Sequence, residues 1–191
     1  MAGVTSKAGA ILTVGDRLYW AYANLAMAQV AVESQAPKYK PVHYMVRGRL
    51  YYGLRKGTMK LGPLARDERL KMILPQACCY CGSGTFLAAD HLIPHKRGGP
   101  NTGDNLVWSC RSCNSSKGGK DVLEWLAKRQ QFPSLLLLRR YLKLAIEFSL
   151  ATGVMDVPLD IAPELPFVLA AVPFVFPPPD ELVLWVPSVP A

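Results

Sequence analysis

The chain has 191 residues, 50% of them hydrophobic, and a formal net charge of +8. That length suits one ordinary domain with extensions, and the hydrophobic content is sufficient for a buried core, which excludes a wholly disordered chain. The positive charge favours a polyanionic partner, and nucleic acid is the commonest such partner.

The positive charge is concentrated in one segment. Residues 36–76 contain ten Lys or Arg and two acidic residues, so this segment alone carries +8. Residues 1–35 are neutral, residues 77–131 carry +3 and residues 132–191 carry −3. We expect the basic segment to bind the DNA backbone, with Arg47, Arg55 and Lys56 as contacts. A solvated basic helix face is the alternative interpretation.

Signals for secretion or membrane insertion are not apparent in the sequence. The N-terminal residues lack a basic region followed by a long apolar run, and charges or prolines interrupt the longer apolar stretches. We therefore expect a cytoplasmic protein with no membrane partner. In a reducing cytosol, the five cysteines favour metal binding or catalysis over disulfide bonds.

The first 74 residues are predicted to form a helical, basic N-terminal region. Residues 17–35 are Ala-rich and are predicted to form a helix capped by Asp16. A second helix is predicted over 42–56 and a short third over 66–74, ending before Pro75. The second helix carries an apolar stripe made of Val42, Met45, Val46, Leu50 and Leu54.

A second domain is predicted over 75–131, within which residues 78–117 differ in composition, being rich in Cys, Gly, Asn and Asp. Here we predict a strand over 85–91, a glycine-rich loop, a strand over 105–109 and a short helix over 111–117. Asp121 then opens a further helix. Residues 132–191 are predicted as a helix over 134–153 plus a Pro-rich arm lying over the domain, and this arm leaves open a protein partner.

Two C-x-x-C pairs stand about 30 residues apart, a spacing that suits one tetrahedral zinc ion. The preferred ligands are Cys78, Cys81, Cys110 and Cys113, which leaves Cys79 spare. Four thiolates close the coordination sphere and leave no position for water, so the zinc is expected to be structural.

A set of polar motifs lies between and just after the cysteine pairs. In chain order these are Asp90-His91, Gly98-Gly99, Asp104-Asn105-Leu106 and Cys110-x-x-Cys113-Asn114-x-x-Lys117. Over roughly residues 75–120 this order and spacing resembles the HNH endonuclease family, in the branch with two zinc-binding C-x-x-C pairs. The resemblance implies an α+β fold: a ββα-metal core stapled by a four-Cys zinc site and flanked by helices.

The resemblance assigns a role to each matching residue. His91 is the general base, a suitable task for an imidazole, which titrates near pH ~6.5. Asp90 and Asn114 supply the oxygen ligands that Mg²⁺ or Mn²⁺ prefers, with Asn114 standing where the family often has a second histidine. Asn105 holds the loop and orients the base.

Two further expectations concern the surroundings of this site. Lys96, Arg97 and Lys117 are candidate phosphate contacts, although each could equally be a solvated charge. Adjacent residues of a regular strand point to opposite faces, so Asp90 and His91 can serve one site only if the strand ends or distorts there.

These observations predict a metal-dependent HNH endonuclease that hydrolyses phosphodiester bonds in DNA, with RNA open as a substrate. The alternative function is a zinc-stapled nucleic-acid-binding or assembly module without cleavage activity.

Overall fold

The structure of the chain, a computed structural model, describes residues 12–187. The expectation that the extreme N-terminus carries no secretory signal falls mainly on residues 1–11, which lie outside the described residues. None of the helices in the described part is both long enough and apolar enough to cross a membrane.

The described part combines α-helices with one small antiparallel sheet, which confirms the predicted α+β class. The elements in chain order are α1 (Val14–Glu33), α2 (Pro41–Arg55), α3 (Leu64–Ile73), β1 (Leu87–His91), β2 (Leu106–Cys110), α4 (Arg111–Lys117), α5 (Val122–Lys128) and α6 (Leu135–Ala151).

Helix α1 begins three residues earlier than predicted and has a different cap. The hydroxyl of Thr13 accepts a hydrogen bond from the backbone N–H of Asp16 at 3.1 Å, so Thr13 is the N-cap. Asp16 lies in the first turn instead, where its carboxylate is 2.7 Å from the guanidinium of Arg55. The helix then packs against α2 and α6 through buried residues such as Leu18 and Leu25.

Helix α2 buries only part of the predicted apolar stripe: Leu54 is buried, and Val46 and Leu50 are half-buried. Val42 and Met45 are 55% and 71% exposed, whereas Tyr51 is fully buried. The ring of Tyr51 meets the ring of Trp20 edge-on, with 5.3 Å between centroids. Burying this aromatic pair removes more apolar area from water than burying Val42 and Met45 would, so it sets the rotation of the helix.

The C-terminal arm lies against α1. The carbonyl oxygen of Phe174 accepts hydrogen bonds from Trp20 Nε1 at 3.2 Å and Asn24 Nδ2 at 3.3 Å, and Arg17 donates to the carbonyl of Val172. One hydrophobic core contains residues from 14 to 182. The division into 1–74, 75–131 and 132–191 therefore stays a proposal about the sequence, since all three segments share that core.

The sheet is a two-stranded hairpin that leads directly into α4. Asp90 pairs with Val107 and His91 pairs with Leu106 in an antiparallel register. Both strands lie within two residues of their predicted bounds, and α4 has the predicted bounds. This arrangement places the end of β1 beside α4 and the loop between the strands beside His91.

Candidate functional site

Four cysteines come together at the base of the hairpin. The Sγ atoms of Cys78, Cys81, Cys110 and Cys113 all lie within 4.8 Å of one another, and those of Cys81 and Cys110 are 3.7 Å apart. A tetrahedral zinc ion with four thiolates at about 2.3 Å requires sulfur–sulfur distances of about 3.8 Å. The four side chains are therefore positioned to hold one metal ion, and both their chemistry and their spacing fit zinc.

Local backbone structure aims these thiols at one point. The N–H of Gly82 donates to the carbonyl of Cys78 at 2.8 Å, which closes a tight turn with Gly82 at φ +79°. Cys110 ends β2 and caps α4, where its Sγ accepts from the N–H of Cys113 at 3.5 Å. Burial, and next the charge of Cys78, raise the pKa of Cys113. A bound dication would relieve this crowding of thiolates.

Cys79 lies outside the cluster, as the sequence predicted. Burial raises the pKa of its thiol well above the ordinary value, which keeps it neutral. Its backbone N–H donates to the carbonyl of Trp108 at 2.9 Å. Within residues 12–187, no other three side chains of His, Cys, Asp or Glu come together in this way.

His91 is the last residue of β1 and is half-buried. Its Nε2 lies 2.9 Å from the amide oxygen of Asn101. An amide oxygen only accepts hydrogen bonds, so in the neutral ring Nε2 carries the proton and Nδ1 keeps its lone pair. The ring of His95 stacks nearby at 6.0 Å, with its own Nδ1 3.2 Å from the carbonyl of Gly99.

Asn105 is fully buried and ties the loop that follows His91. Its Nδ2 donates to the carbonyls of Ile93 and Pro100, both at 2.8 Å, and its Oδ1 accepts from the N–H of Ile93 at 2.9 Å. Asn105 makes no hydrogen bond to the His91 ring in the described part of the chain. Its hydrogen bonds go to the backbone of that loop instead.

Gly99 allows this loop to close tightly. A Cβ at Gly99 would lie 2.1 Å from the carbonyl oxygen of Ile93, far inside van der Waals contact. The preceding Gly98 has φ +90° and suits the left-handed region that glycine favours.

Asp90 precedes His91 in β1 and is buried with two partners. The Tyr80 hydroxyl donates to Oδ2 at 2.7 Å, and the Lys117 ammonium donates to Oδ1 at 2.8 Å. Burial raises the pKa of Tyr80, so its hydroxyl stays protonated as a donor. β1 pairs with β2 up to His91 and ends there. Because alternation holds only within a regular strand, this end of β1 is the place where Asp90 and His91 can serve one site.

Lys117 does not face solvent. Its side chain is 1% exposed, and its ammonium also donates to the carbonyl of His91 at 2.8 Å. The prediction that Lys117 contacts DNA phosphate is therefore wrong, because its ammonium is buried and hydrogen-bonded to groups of the protein itself. It links α4 to the end of β1 instead.

Asn114 lies one helical turn before Lys117, which places both residues on the same face of α4. That face is the one turned toward Asp90. In the described part of the chain, no hydrogen bond joins Asn114 to Asp90 or His91, so the structure brings Asp90, His91 and Lys117 together and leaves Asn114 as their neighbour.

The remaining predicted DNA contacts fall into two groups. Lys56, Lys96 and Arg97 are exposed. Arg47 lies over the Trp20 ring at 4.6 Å, and Arg55 pairs with Asp16, so both have partners within the molecule.

Sequence reasoning missed two residues of this site, Tyr80 and Asn101. Tyr80 lies between the cysteines of the first pair, where the motif accepts any residue, yet its hydroxyl donates a hydrogen bond to Asp90. Asn101 follows Gly98-Gly99-Pro100, and an amide directly after a tight loop beside a histidine was the available signal.

An antiparallel hairpin followed by a short helix and stapled by four cysteines defines a zinc-finger-like ββα-metal element of the HNH type. The family model for HNH endonucleases matches residues 78–120, so this part of the chain is similar to an HNH domain. The match covers the cysteine cluster together with Asp90, His91, Asn105 and Asn114.

The chain is also similar to part of another protein. Over 52 residues it is 44% identical to the CRISPR-associated endonuclease Cas9 of Corynebacterium diphtheriae. The alignment covers 25% of this chain and 5% of that protein, so the similarity is confined to one segment of the relative. No solved structure matches the chain.

Proposed function

We propose that the chain is a metal-dependent endonuclease that hydrolyses phosphodiester bonds in DNA, with His91 as the general base. The observation that carries the proposal is the hydrogen bond between His91 Nε2 and Asn101, because it leaves Nδ1 free to take a proton from water. The HNH match spans the same residues, and the similar Corynebacterium protein is itself named an endonuclease.

A divalent cation, Mg²⁺ or Mn²⁺, would be held by Asp90 and Asn114. Both offer hard oxygen donors, and each oxygen of Asp90 accepts one hydrogen bond and so retains a lone pair. When bound, such an ion supplies Lewis-acid polarisation of the phosphate and charge stabilisation at the leaving 3′ oxygen. The zinc ion would have a structural role and no part in catalysis.

The chain's own residues would do the rest. His91 takes the proton of the attacking water at Nδ1, while Asn101 fixes the ring and Asn105 fixes the loop behind it. The exposed side chains of Lys96 and Arg97, in the loop between β1 and β2, would contact phosphate oxygens and position the DNA strand.

The test of the base is cleavage of supercoiled plasmid, measured in single-turnover form with Mg²⁺ or Mn²⁺. General-base catalysis typically supplies about 10²- to 10⁴-fold, so His91→Ala should slow cleavage by that factor and leave DNA affinity within a few-fold. His95→Ala is the matched control, because it removes a neighbouring imidazole that the proposal does not use. Undiminished cleavage by zinc-loaded His91→Ala would contradict the assignment.

One observation favours the alternative of a non-cleaving, zinc-stapled nucleic-acid-binding or assembly module. The Lys117 ammonium lies 2.8 Å from Asp90 Oδ1 and already supplies a cation where the divalent ion would bind. In that alternative, Asp90 is a structural ion-pair partner, and DNA binding requires no Mg²⁺ or Mn²⁺.

Thermal unfolding separates the two functions, since an ion that binds only the folded state raises the Tm. If Asp90 is a cation ligand, Mn²⁺ should raise the Tm of the unmodified protein and of Lys117→Met, but not that of Asp90→Asn. If the pair is structural, Mn²⁺ should raise none of the three. If the zinc-loaded protein binds the plasmid and leaves it intact, that result would favour the non-cleaving binding module.

A further inference from the structure

Helix α3 contributes one side chain, Leu64, to the hydrophobic core and is attached to α6 through ion pairs. Of its ten residues, only Leu64 and Asp67 are buried. The Asp67 carboxylate lies 2.6 Å from Arg139 and also pairs with Lys143, both of them on α6. Because α3 buries little apolar area, its position depends on its charged side chains.

Glu68, the next residue of α3, joins a cation of each helix. One of its carboxylate oxygens lies 2.6 Å from the ammonium of Lys71, and the other lies 2.8 Å from Nη1 of Arg140. Lys71 and Arg140 are mostly covered, with 20% and 5% of their side chains exposed. Cations withdrawn from water in this way need acceptors within the protein, and both find further ones in the backbone of the loop between β1 and β2.

The Lys71 ammonium donates to the carbonyls of Gly103 and Leu106, both at 3.1 Å, in the segment that leads into β2. With the carboxylate of Glu68 it has three acceptors, one for each of its N–H groups. Lys71 therefore has no N–H left for DNA phosphate, and its contacts indicate that it holds the backbone of this segment instead.

The other two carbonyls of residues 103–106 are held as well. Nη1 of Arg140 donates to the carbonyl of Asp104 at 3.1 Å, and the N–H of Leu92 donates to that of Asn105 at 2.9 Å. Three of the four carbonyls thus depend on side chains of α3 and α6, and both helices lie outside the part of the chain that matches the HNH model.

This segment is connected to His91 by two short routes. Leu106 is the residue paired with His91 in the sheet. Asn105 donates to the carbonyl of Pro100, directly before Asn101, whose amide oxygen accepts from His91 Nε2. A shift of the segment would therefore move both the end of β1 and the acceptor that fixes the ring.

We propose that α3 is a positioning element for the candidate active site and that Lys71 is its positioning residue. Lys71, fixed by Glu68, would hold residues 103–106 so that Asn101 keeps the His91 ring in place. The inference rests on the proposed function, because it gives Lys71 a task only if His91 acts as the base. Lys71 itself would touch neither DNA nor the attacking water.

The first test is hydrogen exchange of the zinc-loaded full chain, read by mass spectrometry. Lys71→Met keeps a side chain of similar length but removes its three donors, so amides of residues 92–105 should exchange about tenfold faster, because the loop opens more often. Peptides of α1 should be unchanged. Lys128→Met is the matched control, since Lys128 also pairs with a glutamate of its own helix, Glu124 at 2.8 Å, but is 66% exposed and belongs to α5.

The second test is single-turnover cleavage of supercoiled plasmid by the same variants. Displacing a catalytic group by about 1 Å can cost about 10²-fold, so Lys71→Met should slow cleavage about 10- to 100-fold at saturating DNA and leave DNA affinity within a few-fold. Lys71→Arg keeps a cation that can donate to the carbonyls and should restore most of the rate. A merely structural lysine would lower the rate only in proportion to the loss of folded protein, which zinc content and Tm measure.

A double-mutant cycle shows whether Lys71 acts through His91. Added to His91→Ala, Lys71→Met should slow the residual cleavage by no more than a few-fold, because the ring that it positions is gone. An equal loss in both backgrounds would overturn the inference, and so would unchanged exchange of residues 92–105 in folded Lys71→Met.

Two further results are kept apart from these. If Lys71→Met does not fold, Glu68→Gln decides by the same criteria, since it leaves a single carbonyl oxygen for two cations. Undiminished cleavage by His91→Ala would contradict the proposed base, and the exchange of residues 92–105 would then still show whether Lys71 holds the loop.

Discussion

The single hydrogen bond from His91 to Asn101 fixes which ring nitrogen is available for chemistry. Replacing Asn101 with Asp keeps an acceptor but adds a negative charge, which favours the protonated imidazole. The acid limb of the pH–rate profile for kcat/KM should therefore move to higher pH. Asn101→Leu should lower kcat without that shift, because it releases the ring.

A merely structural Asn101 would give a different result. Both variants would then lose activity in proportion to their loss of folded protein, and the pH profile would keep its shape. Zinc content and Tm, measured on the same samples, provide the control for folding.

Residue identity in the motif was predictable from the sequence, but the partner of each charge was not. Asp90 and His91 stand in recognisable order in the sequence. Whether a lysine points to solvent or to a carboxylate depends on contacts 27 residues apart in the chain, as between Asp90 and Lys117. Lys117 was therefore misassigned as a DNA contact.

The glycine at position 99 gives a second prediction at the residue scale. Gly99→Ala places a methyl group against the Ile93 carbonyl, which must move, and overpacking of this kind costs about 1–3 kcal/mol. Denaturant unfolding should show that loss together with slower plasmid cleavage. Gly84→Ala, where an added Cβ meets nothing within 4 Å, is the control, and equal stability of the two variants would contradict the clash.

At the scale of elements, the hairpin and α4 depend on the cysteine cluster, because Cys110 both ends β2 and caps α4. Cys110→Ser should remove the metal and destabilise the fold strongly, since structural zinc contributes on the order of 10 kcal/mol. Cys79→Ser should leave metal content nearly unchanged. Elemental analysis with thermal unfolding measures both, and a Cys79→Ser protein stripped of zinc would show that the ligand register is wrong.

The ends of the helices could be predicted from local sequence signals, whereas the faces that the helices bury could not. Pro75 and Gly153 marked helix ends to within a few residues, since proline and glycine act through their own backbones. The rotation of α2 depended on Tyr51 meeting Trp20, a contact between helices. The hydrophobic pattern of one helix does not show which of its aromatic rings will pack against a neighbouring helix.

At the scale of the whole molecule, three cations of residues 36–76 already have partners within the molecule. Arg55 is paired with Asp16, Lys71 with Glu68, and Arg47 stacks on Trp20. Composition counts these side chains as free cations. Arg49, Lys56 and Lys60 are exposed and lie outside these pairs.

That distinction yields a prediction for DNA affinity. Arg49, Lys56 and Lys60 form no salt bridge with any described residue, so they are the better candidates for backbone contacts. Each phosphate contact adds about 0.9 to the slope of log affinity against log salt. Replacing all three with Gln should therefore lower the slope by up to about 2.7 and weaken binding evenly across sequences.

Arg55→Gln is the matched control, because it removes the same charge from α2 at a position paired with Asp16. It should lower the Tm, since it leaves the buried Asp16 carboxylate without its cation, while the salt slope stays nearly constant. The measurement is fluorescence anisotropy of labelled duplexes of two unrelated sequences over a range of salt. An unchanged slope in the triple variant would show that this face is only solvated, and the DNA-binding charge would then have to lie nearer to Lys96 and Arg97.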